Sequence, residues 1–210
     1  MKVARSAHEL EQVRKRILDE ALSIIATQGF DALTVRRLAA RSGMTAPNLY
    51  NYFANKDEIY LTLVITGFEK LHGELKGAYA SSDDPVRRAH ALMEAYVRFG
   101  IENSAYYDIM FTRATPKYND YVGTPHERLS RIEYAISMEI VALAERAVAE
   151  VNGGEGRKGR EGHTKDVVKV WCTLHGMVSL CNSHIVGYVA GDTQAVYHRI
   201  LEELIESVVS

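Results

Sequence analysis

Cysteine is nearly absent: the 210 residues contain two, Cys172 and Cys181, nine positions apart in an apolar stretch. There is no CxxC pair and no secreted-type framework, which excludes a disulfide-stapled scaffold and leaves buried thiols in a reducing cytosol. No run approaches the roughly 18–20 consecutive apolar residues of a membrane span. The opening "MKVARSAHEL" has no apolar stretch of the kind a signal peptide needs. A cytoplasmic protein without membrane contact is therefore expected. Charge of one sign is also lacking, since 25 Lys and Arg meet 27 Asp and Glu for a net charge of -2. Residues 1–60 are mildly basic and the remainder acidic, as expected if only the first part meets a polyanion. No strand pattern and no repeat are present. The eight histidines are scattered without an HExxH motif, so neither a metal nor a cofactor is expected.

What is present is helical periodicity. Val13, Ile17, Ala21, Ile24 and Ile25 recur at steps of three and four, which predicts a first helix over about residues 8–28, ended by Gly29. Thr34 reads as the cap of a short helix ending near Ser42-Gly43, and Thr45 as the cap of another ending near Phe53. A fourth helix starts near Lys56. Asp84-Pro85 and Thr124-Pro125 each put a capping side chain before a proline, opening helices over about 85–102 and 125–152. Ser104 caps a short helix through Thr112, and an irregular, turn-rich stretch follows. Helices over about 164–188 and 192–208 complete an all-α chain.

Two short helices joined by "SGMT" predict a helix-turn-helix, with Ala39 small at the crossing and Leu38, Met44 and Leu49 as apolar anchors. The composition of "TAPNLYNYFANKDEIY" fits that reading. A helix inserted in the major groove needs side chains that reach phosphates and base edges, not merely apolar ones. The hydroxyls of Thr34 and Thr45 suit phosphate oxygens, and Tyr50, Tyr52 and Lys56 lie where the helix leaves the groove. Asn48 and Asn51 carry the paired donor and acceptor that match adenine, and Arg36 reaches guanine or a phosphate. Ala46 and Pro47 offer apolar contact alone. The plainer reading makes each threonine only a cap and packs Tyr50 or Tyr52 against the first helix.

Residues 17–64, from "ILDEALSIIATQGFDALTVRRLAARSGM" through "TAPNLYNYFANKDEIYLTLV", resemble the DNA-binding domain of the tetracycline-repressor (TetR) family of transcription regulators. The resemblance rests on Gly29-Phe30, on Thr34 through Gly43, and on Leu49-Tyr50-Asn51-Tyr52-Phe53 with Lys56. It implies that Thr34, Arg36, Thr45, Ala46, Pro47, Asn48, Tyr50, Asn51, Tyr52 and Lys56 face DNA. Asn51 departs from the bulkier or basic residue of many members. "WCTLHGMVSL" and "AYYDIMFTR" resemble the C-terminal domain of a Trp-x-x-x-His-Gly subgroup. The resemblance further implies a helix-turn-helix domain over 1–55 and an effector-binding and dimerisation domain over 56–210. A homodimer through the last two helices, 164–188 and 192–208, would bring two reading heads to a palindromic operator.

An all-α domain of this size can hold an apolar ligand between helices. Met93, Tyr96, Phe99, Tyr107, Met110, Phe111, Tyr134, Met138, Trp171 and His175 are the candidate effector-binding residues, although most would be core in any case. A small amphipathic or apolar ligand would then release a repressor from its operator, with helix 57–79 as the lever. The alternative is a DNA-binding regulator with no small-molecule effector, controlled by a protein partner or by its own abundance. Catalysis is not expected. Gly154-x-Gly156-x-x-Gly159 matches a dinucleotide fingerprint but follows no strand, so it reads as a polar connection with Arg157 and Lys158 solvated. Cys172 and His175, three apart on a helix, lack any activating neighbour.

Overall fold

The computed structural model describes residues 6–153 and 159–209, and every regular element among them is helical, in agreement with the all-α expectation. Most of the dinucleotide-like glycine run, with Arg157 and Lys158, lies outside the described residues. Two compact units are present: residues 1–68 with 105–134, and residues 69–104 with 135–210.

In the first unit α1 (Ala7–Gln28) begins at a reciprocal capping box. Ser6 Oγ accepts from the Glu9 N–H, and the Glu9 carboxylate accepts from the Ser6 N–H. Its buried stripe is Ile17, Ala21, Ile24 and Ile25. Gly29, at φ 87°, ends the helix in a backbone region closed to most side chains. A 3-10 turn over Phe30–Ala32, unanticipated from the sequence, sets the Phe30 ring edge-on to Tyr60 at 4.9 Å. Then come α2 (Val35–Arg41), α3 (Ala46–Leu49) and α4 (Lys56–Tyr79). Asn55 caps α4 through the Glu58 N–H at 3.0 Å.

Chain segment 105–134 joins the first unit because its side chains bond to α1 and α4. Arg113 donates to the Ala26 carbonyl as well as to Asp108. Tyr60 Oη donates to the Pro116 carbonyl at 3.3 Å, and Tyr121 Oη to Asp57 at 3.2 Å. Burial pushes the Tyr60 phenol up to about 12. The helix expected over Ser104–Thr112 is an α-turn, α6 (Ser104–Tyr107), continued by a π-helical turn over Asp108–Thr112. The next helix, α7 (Glu127–Val151), begins two residues beyond Pro125. Thr124 caps a preceding turn instead, accepting from the His126 N–H at 3.2 Å.

In the second unit α5 (Pro85–Glu102) starts as expected, with Asp84 accepting from the Arg87 N–H at 2.8 Å. It packs against α8 (Gly159–Asn182) and α10 (Thr193–Val209). The helix expected over about 164–188 runs instead from Gly159, with Thr164 inside it, to Asn182, where His184 adopts φ 58°, and a single turn, α9 (Val186–Val189), follows. On α10, Leu201, Leu204, Ile205 and Val208 are buried, whereas Val196 and Ile200 are partly open. The C-terminal half of this apolar face therefore serves an intramolecular core.

One polar cluster braces this unit. Glu150 accepts from Tyr79 Oη at 2.6 Å, from Arg146 Nε at 3.1 Å and from Arg88. Burial by itself would raise its carboxyl. The hydrogen bonds from Tyr79, Arg88 and Arg146 outweigh that and hold it below the usual range. A depressed carboxyl stabilises the folded state above its unfolded value and loses that contribution as pH falls through the folded one. Urea midpoints measured from pH 6 down to pH ~3 should therefore fall less steeply for Glu150→Gln than for the parent chain. Identical pH profiles would refute the assignment.

Candidate nucleic-acid interface

Thr34 stands at the N-cap of α2, where its Oγ1 accepts from the Arg37 N–H at 3.3 Å. Gly43, at φ 67°, makes the turn, and the Met44 N–H closes it on the Ala39 carbonyl at 2.9 Å. Thr45 stands at the N-cap of α3 and makes no capping bond, so its hydroxyl stays available to an outside acceptor or donor. Pro47 sits in the first turn of α3, where its missing N–H costs nothing. Leu38, Ala39, Leu49 and Phe53 turn inward. Thr34, Arg36, Thr45, Pro47, Tyr50 and Asn51 turn outward, with Tyr50 55% exposed. Ala46 and Asn48 are intermediate.

Regular α-helix in α3 ends at Leu49, not near Phe53. From Asn51 the N–H groups bond three residues back, to Asn48 at 3.2 Å, and likewise Tyr52 to Leu49 at 2.9 Å. That tighter winding turns Tyr52 inward. Its side chain is only 8% exposed, against the expectation of a phosphate grip. Asn51 Nδ2 donates to Asn48 Oδ1 at 3.3 Å, so the two amides are pre-aligned. The Lys56 ammonium lies 4.5 Å from the Phe30 ring centre, held by a cation–π contact at the start of α4.

Three arginines have structural posts that spacing alone did not reveal. Arg41 Nε bonds Glu20 at 2.7 Å and Arg37 bonds Gln28, so both tie α2 back to α1. Arg14 donates to the Tyr52 carbonyl and lies 4.1 Å over the Phe53 ring. Of the basic side chains of α2, only Arg36 is placed for an outside partner by these contacts.

The ten effector candidates divide between the units. Tyr107, Met110, Phe111 and Tyr134 belong to the first, where the Phe111 ring packs 5.0 Å from Tyr107 and 5.7 Å from Phe68. Tyr134 stacks on Tyr118 at 4.7 Å. Met93, Tyr96, Phe99, Met138, Trp171 and His175 belong to the second. Trp171 is 46% exposed, and its indole N–H donates to Tyr96 Oη at 2.8 Å. Met138 is also exposed, while Met93, Tyr96 and Phe99 are buried. Burial pushes the His175 imidazole down, which favours its neutral form.

A tetR-family profile of bacterial regulatory proteins matches residues 17–63, and the tetracyclin repressor-like C-terminal domain matches residues 89–204, more than half of the chain. The protein belongs to the TetR family. Among its relatives is the HTH-type transcriptional activator FasR of Mycolicibacterium smegmatis, 28% identical over 115 residues, or 55% of this chain and 50% of FasR. The chain spans about half the length of the curated relatives it matches. The crystal structure of the regulatory protein SCO4313 superposes with a TM-score of 0.69 at 26% identity, covering 96% of this chain and 98% of that one. AibR, solved with isovaleryl coenzyme A and operator DNA, shares the fold at a TM-score of 0.62 and 19% identity, over 80% of this TetR-family chain and 84% of AibR. Among the described residues no helix is long and apolar enough to cross a membrane.

Proposed function

We propose that this chain is a sequence-specific DNA-binding transcriptional regulator. It acts as a homodimer on a palindromic operator and is released by a small amphipathic or apolar ligand. One observation carries the reading: outward polar residues of α2 and α3 stand on a buried Leu38–Ala39–Leu49–Phe53 base. Thr34, Thr45, Tyr50 and Lys56 then serve phosphates, while Arg36, Asn48 and Asn51 serve base edges, with Ala46 and Pro47 against them. Tyr52 supports the turn from within. We assign DNA reading to residues 1–55 and ligand binding and dimerisation to 56–210, with α8 and α10 pairing across the dimer axis. Trp171, His175 and Gly176 favour the Trp-x-x-x-His-Gly subgroup. Because AibR was solved with an acyl-coenzyme A, such thioesters belong first in a ligand screen.

Selection of bound duplexes from random DNA tests the proposal and should return an inverted repeat. On that operator Lys56→Ala should weaken all sequences alike and reduce the salt slope by about one. Asn48→Ala should instead cost about 1–3 kcal/mol of discrimination at one base pair of each half-site. An unchanged salt slope for Lys56→Ala would remove that phosphate contact, and failure to enrich any duplex would remove the function.

A further inference from the structure

Helices α5 and α10 of the second unit bring together a set of donors that the reading of the DNA interface leaves unused. His90 and Glu94 stand one turn apart on α5 and share a face, with His90 Nδ1 3.5 Å from Glu94 Oε1. His198 on α10 lies opposite, its ring centre 5.8 Å from that of His90. One donor atom from each of His90, Glu94 and His198 falls within 4.8 Å of the others. Glu202, one turn further along α10, lies 3.4 Å from His198 Nε2 beside this group.

A single dication would give these three donor atoms a common partner. Ligands bonded to zinc at ~2.0–2.1 Å in a tetrahedron stand about 3.3 Å apart, near the His90–Glu94 separation already present. Glu94 and His198 are exposed, so small rotations close the remaining gaps without moving the core. Two imidazole nitrogens with one carboxylate oxygen suit zinc, cobalt or nickel better than magnesium or calcium.

We propose that His90, Glu94 and His198 form a binding site for one divalent transition-metal ion, which pins α10 to α5. Spacing along the sequence hid the site because His90 and His198 are remote from each other along the chain. The proposal is independent of the DNA-binding assignment.

The test uses the full, untagged chain, freed of metal by chelator and titrated with zinc and cobalt by calorimetry. Saturable binding of one ion per chain is expected, with visible cobalt bands of a four-coordinate site and a zinc-dependent rise in melting temperature. His90→Ala and His198→Ala should each lower zinc affinity about tenfold or more and abolish the melting shift. Their far-UV spectra should stay unchanged. The double variant Cys172→Ser/Cys181→Ser should bind as the parent does. Equal affinity in the histidine variants, loss of binding only in the cysteine variant, or no saturable binding at micromolar zinc would each overturn the site.

Discussion

Phe53→Ala should cost about 3–5 kcal/mol of stability, the range for removing a large aromatic from a packed interior. Phe53 is 1% exposed and is the ring on which Arg14 rests while that arginine holds the Tyr52 carbonyl. Losing it opens a cavity directly beneath the turn that carries Tyr50 and Asn51. Domains are stable by only about 5–15 kcal/mol, so such a loss removes a large share of the total. Urea unfolding followed by circular dichroism should show the lowered midpoint, and duplex binding should fail at temperatures where the parent still binds. Lys56→Ala, by contrast, should shift stability by no more than about 1 kcal/mol while weakening DNA. A Phe53→Ala chain within about 1 kcal/mol of the parent would show that the helix-turn-helix does not rest on this ring.

Phe99→Ala should be comparably damaging, again about 3–5 kcal/mol, and it separates two roles proposed for one residue. Phe99 is a candidate effector contact, yet it is 0% exposed on α5 beside buried Ala95 and Tyr96. A side chain so enclosed acts first as core. Trp171→Ala, at a half-exposed site, should cost less, because it mainly removes the hydrogen bond to Tyr96. Melting curves of the two variants, read beside ligand titrations, provide the check. Should Phe99→Ala keep the parent stability and lose only ligand affinity, Phe99 lines a pocket and its burial has been misread.

Much of the molecule was legible because its signals are local. The Asp84 cap before Pro85, the Thr34 cap, the glycine at 29 and the periodic stripe of α1 each act within one or two helical turns, and the structure repeats them. The misreadings occur where distant contacts compete with local preference. The aromatic run after Leu49 continues a helical pattern, yet the backbone winds tighter there and Tyr52 is drawn inward. Nothing in "CNSHIVGY" marks His184 rather than Gly187 as the stop, because a histidine enters the left-handed region only under constraint from its surroundings. Arg113 offered no signal at all: its partners are an acid five residues back and a carbonyl of α1.

The sequence by itself determined an all-helical chain, the places where most helices begin, and the helix-turn-helix motif with its family resemblance. Periodicity, capping and turn chemistry involve only neighbours along the chain. Tertiary structure decided which polar residues of that motif face outward, which arginines are committed to bracing, and that segment 105–134 packs in the first unit. It alone assembled His90, Glu94 and His198. Such decisions depend on close packing between elements remote in sequence, where burial of one side chain forces another to the surface.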